Sequence, residues 1–245
     1  MALELFSKLQ QKSTLLFLQA YPTLETARAA SLQEVQQQLK HTRHPHPADA
    51  AASMVELLHQ PQLQADVVLT RTKSRLMLAL VSQLLPLMEQ MANYDKEIHT
   101  LFLTHEDHAI FESLPRAGQH LAPRLLAEIG DDRTRYQDAS SLQALAGTSP
   151  VLYQSGMYSK AHRRLGCIKP LRNALHQFAW QTTQSEAWAK DYYQRKRMEG
   201  KSHTVAIRAL SNVWVRIIFA MWTRRECYQT ATFTQAQLQH ARRAA

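Results

Sequence analysis

Residues 77–101 read MLALVSQLLPLMEQMANYDKEIHTL. Met77, Leu80, Leu84, Leu87, Met91, Tyr94, Ile98 and Leu101 recur at alternating steps of three and four, the a/d seam of a coiled coil or a long helical hairpin. The pattern predicts one helix from about residue 64 to about residue 104. Pro86 lies inside it, and an internal proline costs about 3 kcal/mol and kinks a helix. The seam keeps its frame across Pro86, so a single kinked helix is expected rather than two. Such a seam has two uses: packing on the core of its own domain, or pairing with a second copy of the chain.

Working outward, the first 117 residues contain no glycine, and their apolar residues recur at helical spacing. Phe6, Leu9, Leu16 and Leu18 suit an opening helix that Tyr21-Pro22-Thr23 ends, with Thr23 placed to cap the next. Ser31 and Glu34 form a capping box, in which the hydroxyl takes the N3 amide and the carboxylate reaches back. HTRHPHP (41–47) reads as a loop, because each proline pushes its predecessor out of the α region. Gly and Pro punctuation after residue 112 divides shorter helices near 121–129, 141–146, 170–182, 186–199 and 204–224. No run of alternating β-branched residues suggests a strand. The expected fold is mainly α: a helical connecting region with a long coiled-coil-like helix (1–110), then a helical domain (111–245) with a helix-hairpin-helix-like element.

Charge follows the same division. The chain carries a net +9, but residues 1–110 hold 9 Lys/Arg against 11 Asp/Glu, whereas residues 151–245 hold 16 against 4. A basic surface in the last third favours an anionic partner. Cys167 and Cys227 make no C-x-x-C and no disulfide framework. The start lacks the charged and apolar regions of a signal peptide. Val213–Trp222 is short and includes Arg216, so a buried helix is expected there rather than a membrane span, with Trp214 and Trp222 on its buried side. A cytoplasmic, reduced protein follows. His41, His44 and His46, like His99, His105 and His108, lie close in sequence without a fourth ligand, so no metal site is expected.

Three segments carry candidate chemistry. SLPRAGQHLAPRLLAEIG (113–130) places a Pro-x-x-Gly turn before a helix, the form of a helix-hairpin-helix module. In such a module turn and helix-terminal amides bind a DNA phosphate, which nominates Arg116, Gly118 and Gln119. A helix–turn–helix used only for packing fits the same residues. In PVLYQSGMYSKAHRRLGCIKPLRNAL (150–175), Ser155-Gly156 precedes Lys160, Arg163, Arg164, Lys169 and Arg172. Cations can hold a scissile phosphate and stabilise its developing charge, and a serine needs such help to act as a nucleophile; a plain turn is the alternative. RKRMEGK (195–201) offers Arg195, Lys196, Arg197 and Lys201 to phosphate. Trp180, Trp188, Tyr192 and Tyr193 interleave with basic residues and suit either base stacking or a core.

Several stretches resemble, in register, the C-terminal transposase domain of the insertion-sequence 110 family. They are L-A-G-x-x-P-x-x-x-Q-S-G (145–156), LPRAG…LLAEIGD (114–131), RRLGCIKPLRNALHQFA (163–179) and WAKDYYQRKRMEGKSHTVAIRAL (188–210). FLQAYPTLETA (17–27) also resembles the family's L-x-x-Y-P-T-x-E stretch, and the third segment is closest to the insertion-sequence 1111 branch. The family's hairpin carries two glycines, and Arg116 stands where the first would be. The resemblance implies a DNA recombinase in which Ser155 is the nucleophile and forms a phosphoserine link to a DNA 5′ end. It also implies DNA and a structured guide RNA as partners, and magnesium held by an N-terminal RuvC-like domain. No acidic tetrad of that domain is found here, and residue 1 falls partway through the connecting region. The sequence therefore reads as the C-terminal portion of a transposase, truncated or split. It is expected to hold no cofactor of its own and to be inactive alone, with a nucleic-acid-binding and dimerising fragment as the second reading.

Overall fold

The computed structural model describes residues 2–6, 8–42, 44–232 and 235. The fold is mainly α, and its parts group into two compact units, residues 1–94 and residues 95–245.

The first unit opens with α1 (Ala2–Leu5) and α2 (Lys12–Ala20). The single opening helix expected from residues 6–18 is thus two. The chain turns between them, where Gln11 N–H reaches Lys8 O and the buried Thr14 hydroxyl also donates to Lys8 O at 3.0 Å. That side-chain bond satisfies a carbonyl that an unbroken helix would have paired, so the break is locally compensated. Helix α3 (Leu24–Ala29) is capped by Thr23, whose hydroxyl accepts from Thr26 N–H. Helix α4 (Leu32–His41) begins with the Ser31–Glu34 capping box. Helix α5 (Pro47–His59) packs on α4 and α3. Arg28 closes its end by donating to Leu58 O (2.6 Å) and Gln60 O (2.8 Å). Phe17, Ala27, Val35, Leu39, Ala51, Met54 and Leu58 form the buried centre.

The long helix α6 spans Val67–Thr104 without interruption at Pro86. Its apolar seam faces outward: Leu80, Leu84, Leu87, Met91, Tyr94, Ile98 and Leu101 are all exposed, between 39% and 63%. Only scattered positions such as Val81 and Phe102 are buried.

The second unit contains α7 (His108–Glu112), α8 (Gly118–Ile129), a 3-10 turn at Arg133–Arg135, α9 (Ala139–Leu145), α10 (Lys169–Thr182), α11 (Ala187–Met198) and α12 (His203–Arg224). Between α9 and α10 the chain forms an antiparallel ribbon, β1 (Val151–Ser155) and β2 (Tyr158–His162). This corrects the expectation of no strand. All ten ribbon residues are exposed, so no buried face imposed the alternation that marks a strand in sequence.

Helix α12 is the centre of this unit. Leu210, Trp214, Ile218, Met221 and Trp222 recur at three- and four-residue steps and meet Leu171, Leu175 and Phe178 of α10 and Leu142 of α9. Its length and composition would also suit a membrane span, but this face is core. Each such large apolar side chain, fully buried, contributes about 1.5–3 kcal/mol. Trp214 also donates its indole N–H to Thr182 Oγ1 at 2.9 Å.

A carboxyl group sits in that core. Asp107, at the start of α7, is 1% exposed. One of its oxygens takes the Arg133 guanidinium and the other accepts the Trp222 indole N–H at 3.0 Å. Arg133 also donates to Trp222 O at 3.0 Å and lies over the Trp222 ring. Asp107→Ala would leave a half-buried guanidinium and a buried indole N–H without this partner. It should cost about 3–5 kcal/mol in urea unfolding, whereas Asp107→Asn, which can still accept, should cost less. A loss below about 1 kcal/mol for the alanine variant would show that the carboxylate does not organise this unit.

Candidate nucleic-acid interface

Register fixes the ribbon. Ser155 pairs with Tyr158, Tyr153 with Lys160 and Val151 with His162. The connecting pair is Gly156-Met157, and Gly156 alone has positive φ (57°), the requirement of a type II′ hairpin turn. A Cβ at Gly156 would meet nothing, so the glycine is there for its dihedral and not for space. Ser155 is therefore the last strand residue before the tip. Directly paired residues share a face, so Tyr153, Ser155, Tyr158, Lys160 and His162 lie on one side. The Tyr153 ring sits 6.5 Å from Tyr158 and 6.2 Å from His162.

The feet of the ribbon are held firmly. Ile168 N–H donates to Leu145 O at 2.8 Å, tying the exit strand to the end of α9. The Thr148 hydroxyl, 2% exposed, donates to Asn212 Oδ1 on α12, and Gln143 donates to Asn212 O at 2.8 Å. Gly147 has φ 65°, and an added Cβ would lie 2.7 Å from Cys167 Cβ and Sγ. The L-A-G and R-R-L-G-C segments are thus two sides of one close contact at the ribbon's base, which explains their residues physically.

The nominated cations divide into separate groups. Lys160 lies on the ribbon, diagonal to Ser155 on the same face. Arg163 and Arg164 follow β2 at the base, five and six residue steps from Tyr158 beside the tip, or about 17–20 Å at strand spacing. They therefore stand apart from Ser155 despite their closeness in sequence. Lys169 is exposed at the start of α10, and Arg172 is half-buried one turn on, donating to Cys167 Sγ at 3.5 Å. In the α11 group, Lys196 pairs with Glu199 at 2.7 Å and Arg195 approaches the same carboxylate at 4.0 Å. Arg197 donates to Lys201 O at 2.8 Å, and both residues are exposed. Glu199 is held below the usual carboxylate range by its bond to Lys196, so this patch is partly self-neutralised.

At the turn before α8, Arg116, Gly118 and Gln119 are all exposed. Arg116 has φ 62° and Gly118 φ 56°. A left-handed residue other than glycine costs about 1–2 kcal/mol, which gives physical content to the glycine expected at position 116. Ala117 offers no side-chain cap, so the first amides of α8 lack a capping partner from it.

Two residues that sequence reading passed over join the base of the ribbon. His176 on α10 is substantially buried, and its pKa is pushed down to about 4 by that burial and by the charges of Arg172, Arg208 and Arg163. Arg208, on α12, has its own pKa lowered by burial and then by Arg163. The available signal was the i, i+4 spacing of Arg172 and His176; the approach of Arg208 is a tertiary contact. Among the described residues none of Arg163, Arg164, Arg172 and Arg208 is paired with a carboxylate.

A helical platform that presents an uncompensated cationic base and a free β-ribbon defines a class of module suited to polyanions. Residues 108–194, from α7 into α11, match the family model described as Transposase IS116/IS110/IS902 family. The chain is 38% identical over 117 residues to the mini-circle putative transposase for IS117 of Streptomyces coelicolor, covering 48% of this chain and 28% of that protein. It is 32% identical over 159 residues to the IS116 uncharacterized 44.8 kDa protein of Streptomyces clavuligerus, covering 64% and 40%. It is also 29% identical over 231 residues to the IS900 uncharacterized 42 kDa protein of Mycobacterium paratuberculosis, covering 93% and 57%. The chain thus spans between about a quarter and just over half the length of these relatives.

Proposed function

We propose that this chain works in DNA transposition as the serine-bearing part of an insertion-element transposase, with Ser155 as nucleophile. The observation that carries the reading is the placement of Ser155. It is fully presented at the tip of an exposed ribbon whose feet are fixed, within the segment that matches the transposase family. Ser155 Oγ attacks a phosphodiester phosphorus, the bond to the 3′ oxygen breaks, and a phosphoserine link to the 5′ end forms. The serine proton passes to a base, and the departing 3′ oxygen takes up a proton. Lys160 is placed to hold a non-bridging oxygen, since diagonal neighbours on one ribbon face lie within about 7–8 Å at Cβ and lysine is long. Arg116, Gly118 and Gln119, with the first amides of α8, contact the DNA backbone as in a helix-hairpin-helix. Lys169 and the α11 cations extend the phosphate-binding surface, and a structured guide RNA is a second polyanion for it.

Among the described residues no three His, Cys, Asp or Glu side chains converge to hold a metal. The reading assigns a carboxylate-held magnesium to a separate acidic domain. Ser155 also makes no side-chain hydrogen bond among the described residues, which favours a second reading in which this chain by itself binds nucleic acid without chemistry. In a context where the parent chain is active, Ser155→Ala should abolish the covalent protein–DNA adduct and leave DNA affinity and the melting temperature within error of the parent. Adduct formation by the alanine variant would remove Ser155 from the chemistry.

The exposed seam of α6 is proposed to pair with the same seam of a second copy. Seven apolar side chains in register along one face favour that use over packing within the chain, where they remain exposed. Leu84→Asp with Leu87→Asp should convert a dimer to a monomer in sedimentation, because charges in an apolar seam are costly. A parent chain that is monomeric at micromolar concentration would rule out this pairing.

A further inference from the structure

We propose that the α10–α12 face beside the ribbon's base is a subsite for an unpaired nucleotide, with its phosphate on Arg163, Arg172 and Arg208 and its base on Trp180. The inference rests on the nucleic-acid reading above and adds a strand form and a place.

Arg172, His176 and Trp180 stand at i, i+4 and i+8 on α10, so they form one stripe about 12 Å long. Helix α12 faces the stripe at its middle and at its Trp180 end. The Arg208 charge is felt at His176, and the His203 ring lies 5.0 Å from that of Trp180. Arg163 follows β2, and its charge is felt at both His176 and Arg208. The charges of Arg172, Arg208 and Arg163 are thus all felt at one imidazole, whose pKa burial and these charges lower to about 4. No described carboxylate compensates them, and Arg164 Nε and His176 Nε2 are buried without a partner. Arg172 and Arg208 are half-buried whereas Arg163 is exposed, and a partly buried cation without a counter-charge is expensive unless an anion completes the site. The guanidinium fork matches phosphate oxygens.

The other end of the stripe is apolar and open. Trp180 is 43% exposed, whereas Trp214 and Trp222 are wholly buried. Tyr193 and His203 meet Trp180 at steep interplanar angles, at 5.6 Å and 5.0 Å, and Tyr193 O–H bonds to His203 Nδ1 at 2.9 Å, so the indole is braced. A braced, exposed indole beside a phosphate-binding cluster suits stacking on a base face. Bases in a duplex present edges rather than faces, so the occupant is unpaired.

The test uses the full chain with a labelled single-stranded oligothymidylate and a duplex of equal length. Trp180→Leu and Arg208→Gln should each weaken single-strand binding about 5- to 100-fold, with a much smaller effect on the duplex and an unchanged melting temperature for Trp180→Leu. If Arg208→Gln melts early, the exposed Trp180 position decides. Parent-like single-strand affinity in the Trp180→Leu variant would overturn the subsite while leaving the nucleic-acid reading intact. Equal weakening of duplex and single strand would overturn recognition of an unpaired base. A parent chain that binds neither would overturn both the subsite and the reading beneath it.

Discussion

The second unit depends on one buried carboxylate. Asp107 accepts from Arg133 and Trp222 together, and so fixes the start of α7, the turn after α8 and the end of α12 to one another. A charge so deep is tolerated because each oxygen has a donor and the opposite charge is adjacent. Helix α12 then carries the remaining functional geometry. Its Asn212 anchors the foot of the ribbon, its Arg208 completes the cationic base, and its His203 braces Trp180. A set of exposed groups is thereby referred back to a single buried contact through one rigid helix.

The ribbon is the opposite case. Its ten residues are exposed, and Leu152, Tyr153, Met157 and Tyr158 present apolar surface to solvent. A lone two-stranded hairpin is marginal in water, so the ladder and the fixed feet carry it alone until something covers a face. Aromatic and cationic side chains on the Ser155 face suit a nucleic-acid backbone for that role. The contrast between a packed platform and an open ribbon is what a mobile nucleophile arm would require, since segments with few buried contacts open most readily.

Much of the helical frame was legible in sequence. The long helix through Met77–Leu101, the Ser31–Glu34 box and the helices around α8 to α12 follow from apolar spacing and capping chemistry, both local signals. What escaped was non-local or face-less. The ribbon has no buried side, so Val151–His162 shows no alternation to read. The break before α2 depends on Thr14 bonding back to Lys8 O. The charges of Arg163, Arg172 and Arg208 meet at His176 from separate segments of the chain, which sequence proximity alone does not reveal. The division of the cations after Ser155 between tip and base is set by strand length, which emerges only once the ribbon is recognised.

In the proposed function a fixed platform offers a loosely held ribbon to nucleic acid. Hydrogen–deuterium exchange of the full chain, free and with DNA, tests this most directly. Amides of residues 152–161 should exchange fast in the free chain and slow sharply with DNA, while those of Thr148 and Ile168 stay protected in both states. A ribbon already protected in the free chain, or one unchanged by DNA while other segments slow, would contradict it.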